Sequence, residues 1–188
     1  GRCFWHADVD QKRAEDLRIH RADDPERLDG AVLRGTEVEE TVSFVECSLT
    51  GAVFDEVTFP DADFRGAMLE FAQFQGASLK SAEFPEANLY NAEFPEANLS
   101  NAEFPEANIS NTEFTDANLS NAEFPSADLY SAEFSDANLR NAKFPHADLY
   151  SADFSDANLS NADFSHASLR SAMFPGANLY HAEFPEAN

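Results

Sequence analysis

Large apolar residues recur every five positions from Phe44 to Phe184, and the positions between them are mostly small or polar. From Phe64 onward Phe alternates with Leu or Ile, and Ala lies two residues before nearly every one of them. A period of five matches neither a helix, which repeats near 3.6, nor a strand, which repeats at 2. Each five-residue unit must therefore turn a corner, and a short fixed period of this kind predicts a solenoid.

Four such units close a square coil of twenty residues. Because Phe and Leu alternate, the sequence predicts Phe on two opposite walls and Leu on the other two. Residues twenty apart, such as Phe84 and Phe104, are then expected to stack at about 4.8 Å, the spacing of neighbouring strands. Ala accompanies each large residue because the interior of so narrow a tube is already filled by the Phe and Leu side chains.

The corners carry turn-forming residues. Pro often follows Phe, as at Pro85 and Pro95, where a turn needs a φ near −65°. Asn often stands at the third turn position after Leu, as at Asn91 and Asn101, and Asn tolerates the left-handed conformation that a type II turn requires. Since Glu tolerates that conformation less well, the sequence predicts type II turns at Leu corners more often than at Phe corners.

The repeated pattern A(D/N)LXX resembles that of the pentapeptide-repeat proteins. It covers roughly residues 44–188, with some twenty-nine consecutive large residues in register. The resemblance implies a right-handed quadrilateral β-helix, which we expect over residues 31–188. Phe54, Phe59 and Phe64 break the alternation, and the eleven-residue step from Leu33 to Phe44 predicts a bulge or an irregular first coil.

Residues 1–30 are not repetitive and are expected to cap the solenoid, because solenoid ends need protection of their open edge. Asp8 and Gln11 resemble a capping box for a short helix over about residues 9–20. The chain starts with Gly and stops within a repeat, so both ends look like cuts in a longer protein. No signal peptide or membrane span is visible, which predicts a cytoplasmic protein with no membrane partner.

The formal net charge is −23, and it is concentrated in the repeats. Residues 1–34 have a net charge of −1, whereas residues 35–188 have five basic and twenty-seven acidic residues. From residue 81 onward nearly all acids flank Phe, so two anionic walls and two neutral walls are expected. The candidate anionic interaction face comprises Glu83, Glu86, Glu93, Glu96, Glu103, Glu106, Glu113, Asp116 and Glu123.

Two interpretations of this acidity remain open. Some pentapeptide-repeat proteins are described as DNA mimics that bind DNA gyrase, so the resemblance allows a rod that occupies a basic DNA-binding groove. The other interpretation is salt adaptation, because three Lys against nine Arg and thirty-five acids resembles the composition of halophilic archaeal proteins. Net charge speaks to solubility and partners rather than to one site, which favours salt adaptation.

Few residues suggest other chemistry. The sequence has no phosphate loop, dinucleotide fingerprint or nucleophile elbow. Cys3 and His6 have the spacing of half a zinc site, against the alternative of a free thiol and a packed imidazole. His146 and His166, twenty residues apart beside Asp163, are expected to be stacked neighbours, and surface substitution is favoured over metal binding. Cys47 takes an Ala position and is expected in the core.

The sequence as a whole predicts a non-catalytic repeat solenoid that is a rigid scaffold for an unknown protein partner. The alternative is an anionic DNA mimic that binds a DNA-binding enzyme such as DNA gyrase. No cofactor and no direct binding of nucleic acid are expected.

Overall fold

The computed structural model describes residues 27–38 and 41–188 as one solenoid of stacked coils. Parallel β-bridges join residues twenty apart in four columns, exemplified by Glu83 to Glu103, Asn88 to Asn108, Glu93 to Glu113 and Asn98 to Asn118. Within the described ranges each strand is a single bridge residue, and no helix is formed. The predicted β-helix solenoid is confirmed, with four corners per coil, while the right-handed sense stays a prediction.

Each coil has four walls, which we name by the residues that they present. The first Phe wall is centred on Phe44, Phe64, Phe84, Phe104, Phe124, Phe144, Phe164 and Phe184. The Tyr wall, centred on Leu49, Leu69, Leu89, Ile109, Leu129, Leu149 and Leu169, follows it along the chain. The second Phe wall is centred on Phe54, Phe74, Phe94, Phe114, Phe134, Phe154 and Phe174. The Asn wall closes the coil and is centred on Phe59, Leu79, Leu99, Leu119, Leu139, Leu159 and Leu179.

The Phe side chains form two continuous columns inside the coil. Phe84 and Phe104 stack with ring centroids 4.8 Å apart and planes 5° apart, as predicted. The columns also touch across the interior, since the Phe84 and Phe94 rings meet edge to face at 6.3 Å and 89°. Offset stacking and edge-to-face contact are the two favoured aromatic arrangements. The Phe, Leu and Ala side chains of the central coils are almost completely buried, so the two Phe columns and the Leu columns between them form one continuous core.

Four of the five backbone N–H groups in each unit that is followed by a further coil are used by the solenoid itself. In one unit the Phe84 N–H donates to the Glu103 carbonyl (2.7 Å), the Glu86 N–H to the Pro105 carbonyl (2.9 Å), and the Ala87 N–H back to Phe84 (3.2 Å). The residue before Phe84 donates to the preceding coil. Only the N–H directly after the central residue is left over, and this accounts for the position of proline.

All eight prolines in the described ranges occupy this leftover position, where a missing N–H costs nothing. At many of the positions that are not Pro, an Asn or Asp two residues earlier accepts the spare N–H. Examples are Tyr90 donating to Asn88 Oδ1 (3.2 Å), Ser120 to Asn118 (3.2 Å) and Tyr130 to Asp128 (3.0 Å). The sequence thus satisfies the same backbone group in two ways, with Glu-Phe-Pro on the Phe walls and mainly Asn-Leu-Ser or Asp-Leu-Tyr on the Leu-centred walls.

The predicted difference between Phe and Leu corners is wrong. Every third turn position in the described ranges has a positive φ, whether it follows Leu, as at Asn91 (55°), or Phe, as at Glu86 (58°). The turns are therefore type II at both kinds of corner. A square coil repeats the same bend four times, so the closure of the coil imposes the left-handed conformation on Glu, Ser and His as well as on Asn and Gly.

The predicted irregularity between Leu33 and Phe44 is confirmed. Val32 pairs with Val53, a step of twenty-one residues, whereas Ser43 pairs with Asp63, a step of twenty. One extra residue therefore enters the coil between Glu37 and Ser43. Coil geometry already begins at Arg27, which bridges to Ser48, and the boundary at residue 31 stays a prediction. The predicted helix at residues 9–20 and the capping role of the leader lie outside the described residues.

Candidate interaction surfaces

The first Phe wall presents a ladder of carboxylates at coil spacing. Glu83, Glu103 and Glu123 are bridge partners in successive coils, and Glu86 and Glu106 form a second column at the turns. Lys143 interrupts the ladder, because its Nζ donates to Glu123 Oε1 at 2.7 Å. This hydrogen bond and the charge of Glu123 raise the pKa of Lys143. The twenty-residue register brings the two side chains together, a pairing that the sequence analysis missed.

The second Phe wall is a longer acidic ladder. Glu93, Glu113, Glu133 and Asp153 are successive bridge partners, and Met173 follows them. The adjacent turn column consists of Glu96, Asp116, Asp136 and Asp156. The structure thus places the nine predicted acidic residues on two opposite walls, as expected, and not on one continuous face. Whether they form an interaction site stays a prediction.

The charge density of the central coils exceeds that of DNA. Residues 84–123 hold eight carboxylates and no Lys or Arg over two coils. At about 4.8 Å per coil this is about one negative charge per 1.2 Å, compared with about one per 1.7 Å along double-stranded DNA. Residues 124–143 hold three carboxylates and two cations, so the dense part is short. The strongest negative potential is expected at Glu86 to Glu123.

The Tyr wall is the main exposed aromatic surface. Phe71, Tyr90, Tyr130 and Tyr150 lie along it, and between 39% and 55% of each residue is exposed. Tyr130 and Tyr150 stack at 5.4 Å with planes 1° apart, while Phe71 and Tyr90 meet edge to face at 6.1 Å. Ser110 occupies the coil between Tyr90 and Tyr130. Phe71 also has a φ of 60°, an unusual conformation for a bulky residue.

The Asn wall carries two amide ladders and little charge. Asn138 donates to Asn118 (3.2 Å) and Asn118 to Asn98 (3.3 Å) in the bridge column. In the turn column Asn161, Asn141, Asn121 and Asn101 are joined in the same way at 2.9–3.1 Å. Asn ladders of this kind stabilise stacked strands. Because their polar groups are already paired to one another, we assign this wall a structural role.

The candidate metal ligands do not form a site in the described ranges. The His146 and His166 rings stack at 4.7 Å and 4°, and His166 Nδ1 lies 3.2 Å from Glu186 Oε2. No group of three or more His, Cys, Asp or Glu residues there is arranged to hold a metal ion. Cys3 and His6 lie outside the described residues. Cys47 is buried at an Ala position, as predicted.

The described part of the chain also has no helix that is long and apolar enough to cross a membrane. This finding concerns residues 27–38 and 41–188.

Comparison with solved structures finds the same fold in another protein, QnrB1. A trypsin-treated variant of QnrB1, a plasmid-mediated fluoroquinolone resistance protein, is 15% identical, with 88% of this chain and 86% of that chain covered at a TM-score of 0.66. HetL, a pentapeptide repeat protein involved in heterocyst differentiation regulation from the cyanobacterium Nostoc, is 24% identical, with 86% and 84% covered at a TM-score of 0.37. A sequence search against curated proteins gives no significant match.

Comparison with protein families identifies the repeat directly. The profile described as "Pentapeptide repeat region" matches residues 77–154 and 117–188. The profile described as "Pentapeptide repeats (8 copies)" matches residues 43–80. The matched residues include the stacked Phe columns, the type II corners and both acidic ladders. The chain belongs to the pentapeptide-repeat proteins.

Proposed function

We propose that the protein is a non-catalytic, rigid scaffold that binds a protein partner. The observation that carries this proposal is the unbroken aromatic column from Phe44 to Phe184, which holds every outward side chain at a fixed coil spacing. A surface whose side chains are held in place loses little entropy on binding, which favours specific association. The family and its solved members support a protein-binding solenoid.

The scaffold proposal is tested by crosslinking and capture of partners from native cells with wild type and three wall variants. The variants replace Glu83, Glu103 and Glu123 with Gln, Tyr90 and Tyr130 with Ser, or Asn101 and Asn121 with Ser. We expect one of the first two variants to lose a specific partner and the Asn-wall variant to retain it. The same captured proteins with every variant, or none with wild type, would contradict a wall-specific scaffold.

DNA mimicry is the second candidate function, and one observation favours it. The carboxylate ladders between Glu86 and Glu123 exceed the linear charge density of DNA, so they could occupy a basic DNA-binding groove. QnrB1, which has the same fold, is described as a fluoroquinolone resistance protein, which points to the enzymes that fluoroquinolones inhibit. On this proposal the partner is a type II topoisomerase such as DNA gyrase.

A supercoiling assay at moderate salt tests the mimicry. Replacement of Glu83, Glu103 and Glu123 with Gln removes charge from one wall, and replacement of Glu93, Glu113 and Glu133 removes the same charge from the other. If one wall docks on the enzyme, one variant loses inhibition and the other keeps it. Equal loss would indicate net charge alone, and absence of inhibition by micromolar wild type would exclude this enzyme as the partner.

Salt adaptation explains the same acids without a partner. On that interpretation both Gln variants gain thermal stability at low salt, because repulsion between stacked carboxylates falls, and lose their salt dependence. A loss of partner binding by one variant alone would not follow from salt adaptation.

A further inference from the structure

The aromatic column of the Tyr wall lacks one ring. The position directly after the central residue holds Tyr90, Ser110, Tyr130 and Tyr150 in successive coils. Tyr130 and Tyr150 fill adjacent coils and stack at 5.4 Å. Tyr90 and Tyr130 are two coils apart, and thus about 10 Å apart at strand spacing. A slot that is one ring thick therefore lies between them, above Ser110.

The floor of this slot is held rigidly. Ser110 Oγ donates to Asn108 Oδ1 at 2.7 Å, and the Ser110 N–H donates to the same oxygen at 3.2 Å. Asn108 Nδ2 in turn donates to Asn88 Oδ1 at 3.1 Å. Ser110 has the smallest side chain of this column, yet only 8% of the residue is exposed. The floor of the slot is therefore closely packed, and it does not need a further hydrogen-bonding partner.

One wall of the slot is the face of the Tyr130 ring, and Tyr90 bounds the other side. Tyr150 covers one side of Tyr130, which is still 47% exposed, whereas Phe71 meets Tyr90 from the side away from Ser110. A flat group that enters above Ser110 would stack on the Tyr130 ring and contact Tyr90. The geometry suits either an aromatic ring or a guanidinium, since both are planar and both stack on tyrosine.

The surrounding charge decides between these two groups. Residues 81–139 contain twelve carboxylates and no Lys, Arg or His. Asp128 is the bridge partner of Asn108 in the next coil, and Glu106 lies at the preceding corner of the same wall. An entering cation thus meets the carboxylates of Glu106 and Asp128, while the Tyr wall from Tyr90 to Tyr130 holds no Lys or Arg. The electron-rich face of Tyr130 adds cation–π attraction.

We propose that the slot between Tyr90 and Tyr130 receives an arginine side chain from a basic segment of the partner protein. This proposal rests on the scaffold function proposed above and names the chemistry of its partner. Lysine fits less well, because its ammonium group is compact and strongly hydrated and has no plane to stack between two rings.

The experiment compares the binding of three dye-labelled nonapeptides to the whole protein by fluorescence anisotropy at low and moderate salt. One peptide is rich in Arg, one has Lys in place of every Arg, and one is uncharged and contains Trp. We expect about tenfold tighter binding of the Arg peptide than of the Lys peptide, because only guanidinium groups stack in the slot. Binding of the Trp peptide should be weaker than that of either cationic peptide.

Two variants test whether the preference for the Arg peptide over the Lys peptide depends on the slot. Ser110→Tyr completes the aromatic column and should reduce Arg-peptide binding to the level of the Lys peptide. Tyr130→Leu should do the same without filling the slot. Ser100→Tyr is the matched control, because it places a tyrosine at the equivalent position of the Asn wall and should keep the preference for Arg. The melting temperature and circular dichroism of each variant establish that it is folded.

Equal affinity of wild type for the Arg and Lys peptides would overturn the proposal, as would a preference for Arg that survives in folded Ser110→Tyr. If wild type instead binds the Trp peptide most tightly, and Ser110→Tyr loses this preference, the slot receives an aromatic side chain and not arginine. If Ser110→Tyr still binds a cellular partner captured by wild type, the slot is rejected while the scaffold function stands. If no partner is captured although the Arg preference is present, the scaffold function fails instead.

Discussion

Phe84 and Phe104, twenty residues apart in the chain, stack face to face with centroids 4.8 Å apart. This spacing equals that of adjacent strands, so one geometry satisfies both the backbone hydrogen bonds and the aromatic core. The same stacking recurs in every pair of coils between Phe64 and Phe184. Each coil therefore adds a similar contribution to the stability of the rod.

The first prediction concerns this column. Phe124→Ala should lower the free energy of unfolding by about 3–5 kcal/mol, because a stacked core cannot collapse around the void. Phe184→Ala should cost much less, since 39% of Phe184 is already exposed in the last coil. Chemical denaturation of both variants measures the difference, and equal losses would argue against a stacked column as the source of stability.

The second prediction concerns the left-handed corners. Glu96 has a φ of 59°, a conformation that costs L-residues about 1–2 kcal/mol relative to glycine. Glu96→Gly should therefore raise the melting temperature. Glu93→Gly removes the same charge at a bridge position three residues earlier and should lower it. Calorimetry on the pair separates the backbone effect from the charge effect, and two shifts of the same sign would contradict the strain argument.

The third prediction concerns the spare N–H. Ser120 follows the central Leu119, and its N–H donates only to the Asn118 side chain (3.2 Å). Ser120→Pro should be tolerated, or stabilise by about 0.4–1 kcal/mol, as at the positions where Pro occurs naturally. Asn121→Pro should unfold the coil locally, because φ at Asn121 is 59° and its N–H donates to the Arg140 carbonyl of the next coil at 2.9 Å. Thermal melting distinguishes the two, and a destabilised Ser120→Pro would refute the hydrogen-bond assignment.

The fourth prediction concerns the interruption of the first acidic ladder. Lys143→Glu would place a carboxylate between Glu123 and Asp163, its two bridge partners. The melting temperature of the variant should fall at low salt. It should recover in 1 M salt, where the Debye length is about 3 Å and the added repulsion between carboxylates is screened. Lys80→Glu makes the same charge change on the Asn wall and should have a smaller effect. An equal effect of the two variants would point to net charge rather than to the ladder.

The fifth prediction concerns pH and the first coil. Asp29 accepts hydrogen bonds from the Ser48 hydroxyl, from Arg27 and from the Thr50 N–H, and these interactions, with Ser48 foremost, lower the pKa of its carboxyl below the usual 3.8. A carboxyl whose pKa is lower in the folded state stabilises the fold at pH values above its unfolded-state pKa. This stabilisation is lost as the pH falls through its folded-state pKa.

Asp29→Asn should therefore weaken the first coil at neutral pH, and its difference from wild type should shrink below about pH 3.8. Hydrogen exchange at the Leu28 amide, which donates to Ser48, reports this coil. Ser48→Ala should remove most of the same pH dependence, and a difference that grows on acidification would contradict the assignment.

The five-residue period by itself determined the square coil, the four columns and the burial of Phe, Leu and Ala. It did so because a large residue that recurs at a fixed interval can be buried in only one register. The extra residue before Phe44 and the sorting of acids onto the Phe walls were readable for the same reason. The twenty-residue register also contains the Lys143 to Glu123 pair and the order Tyr90, Ser110, Tyr130 along one wall.

The tertiary structure alone decided the turn type. Local preference assigns Glu86 and Asn91 to different conformations, but closure of the coil requires the same bend at every corner, and the stacked core outweighs the strain at Glu86. Contact between the two Phe columns, as between Phe84 and Phe94, likewise depends on the width of the tube. Width and closure are properties of the whole coil, and no single five-residue unit specifies them.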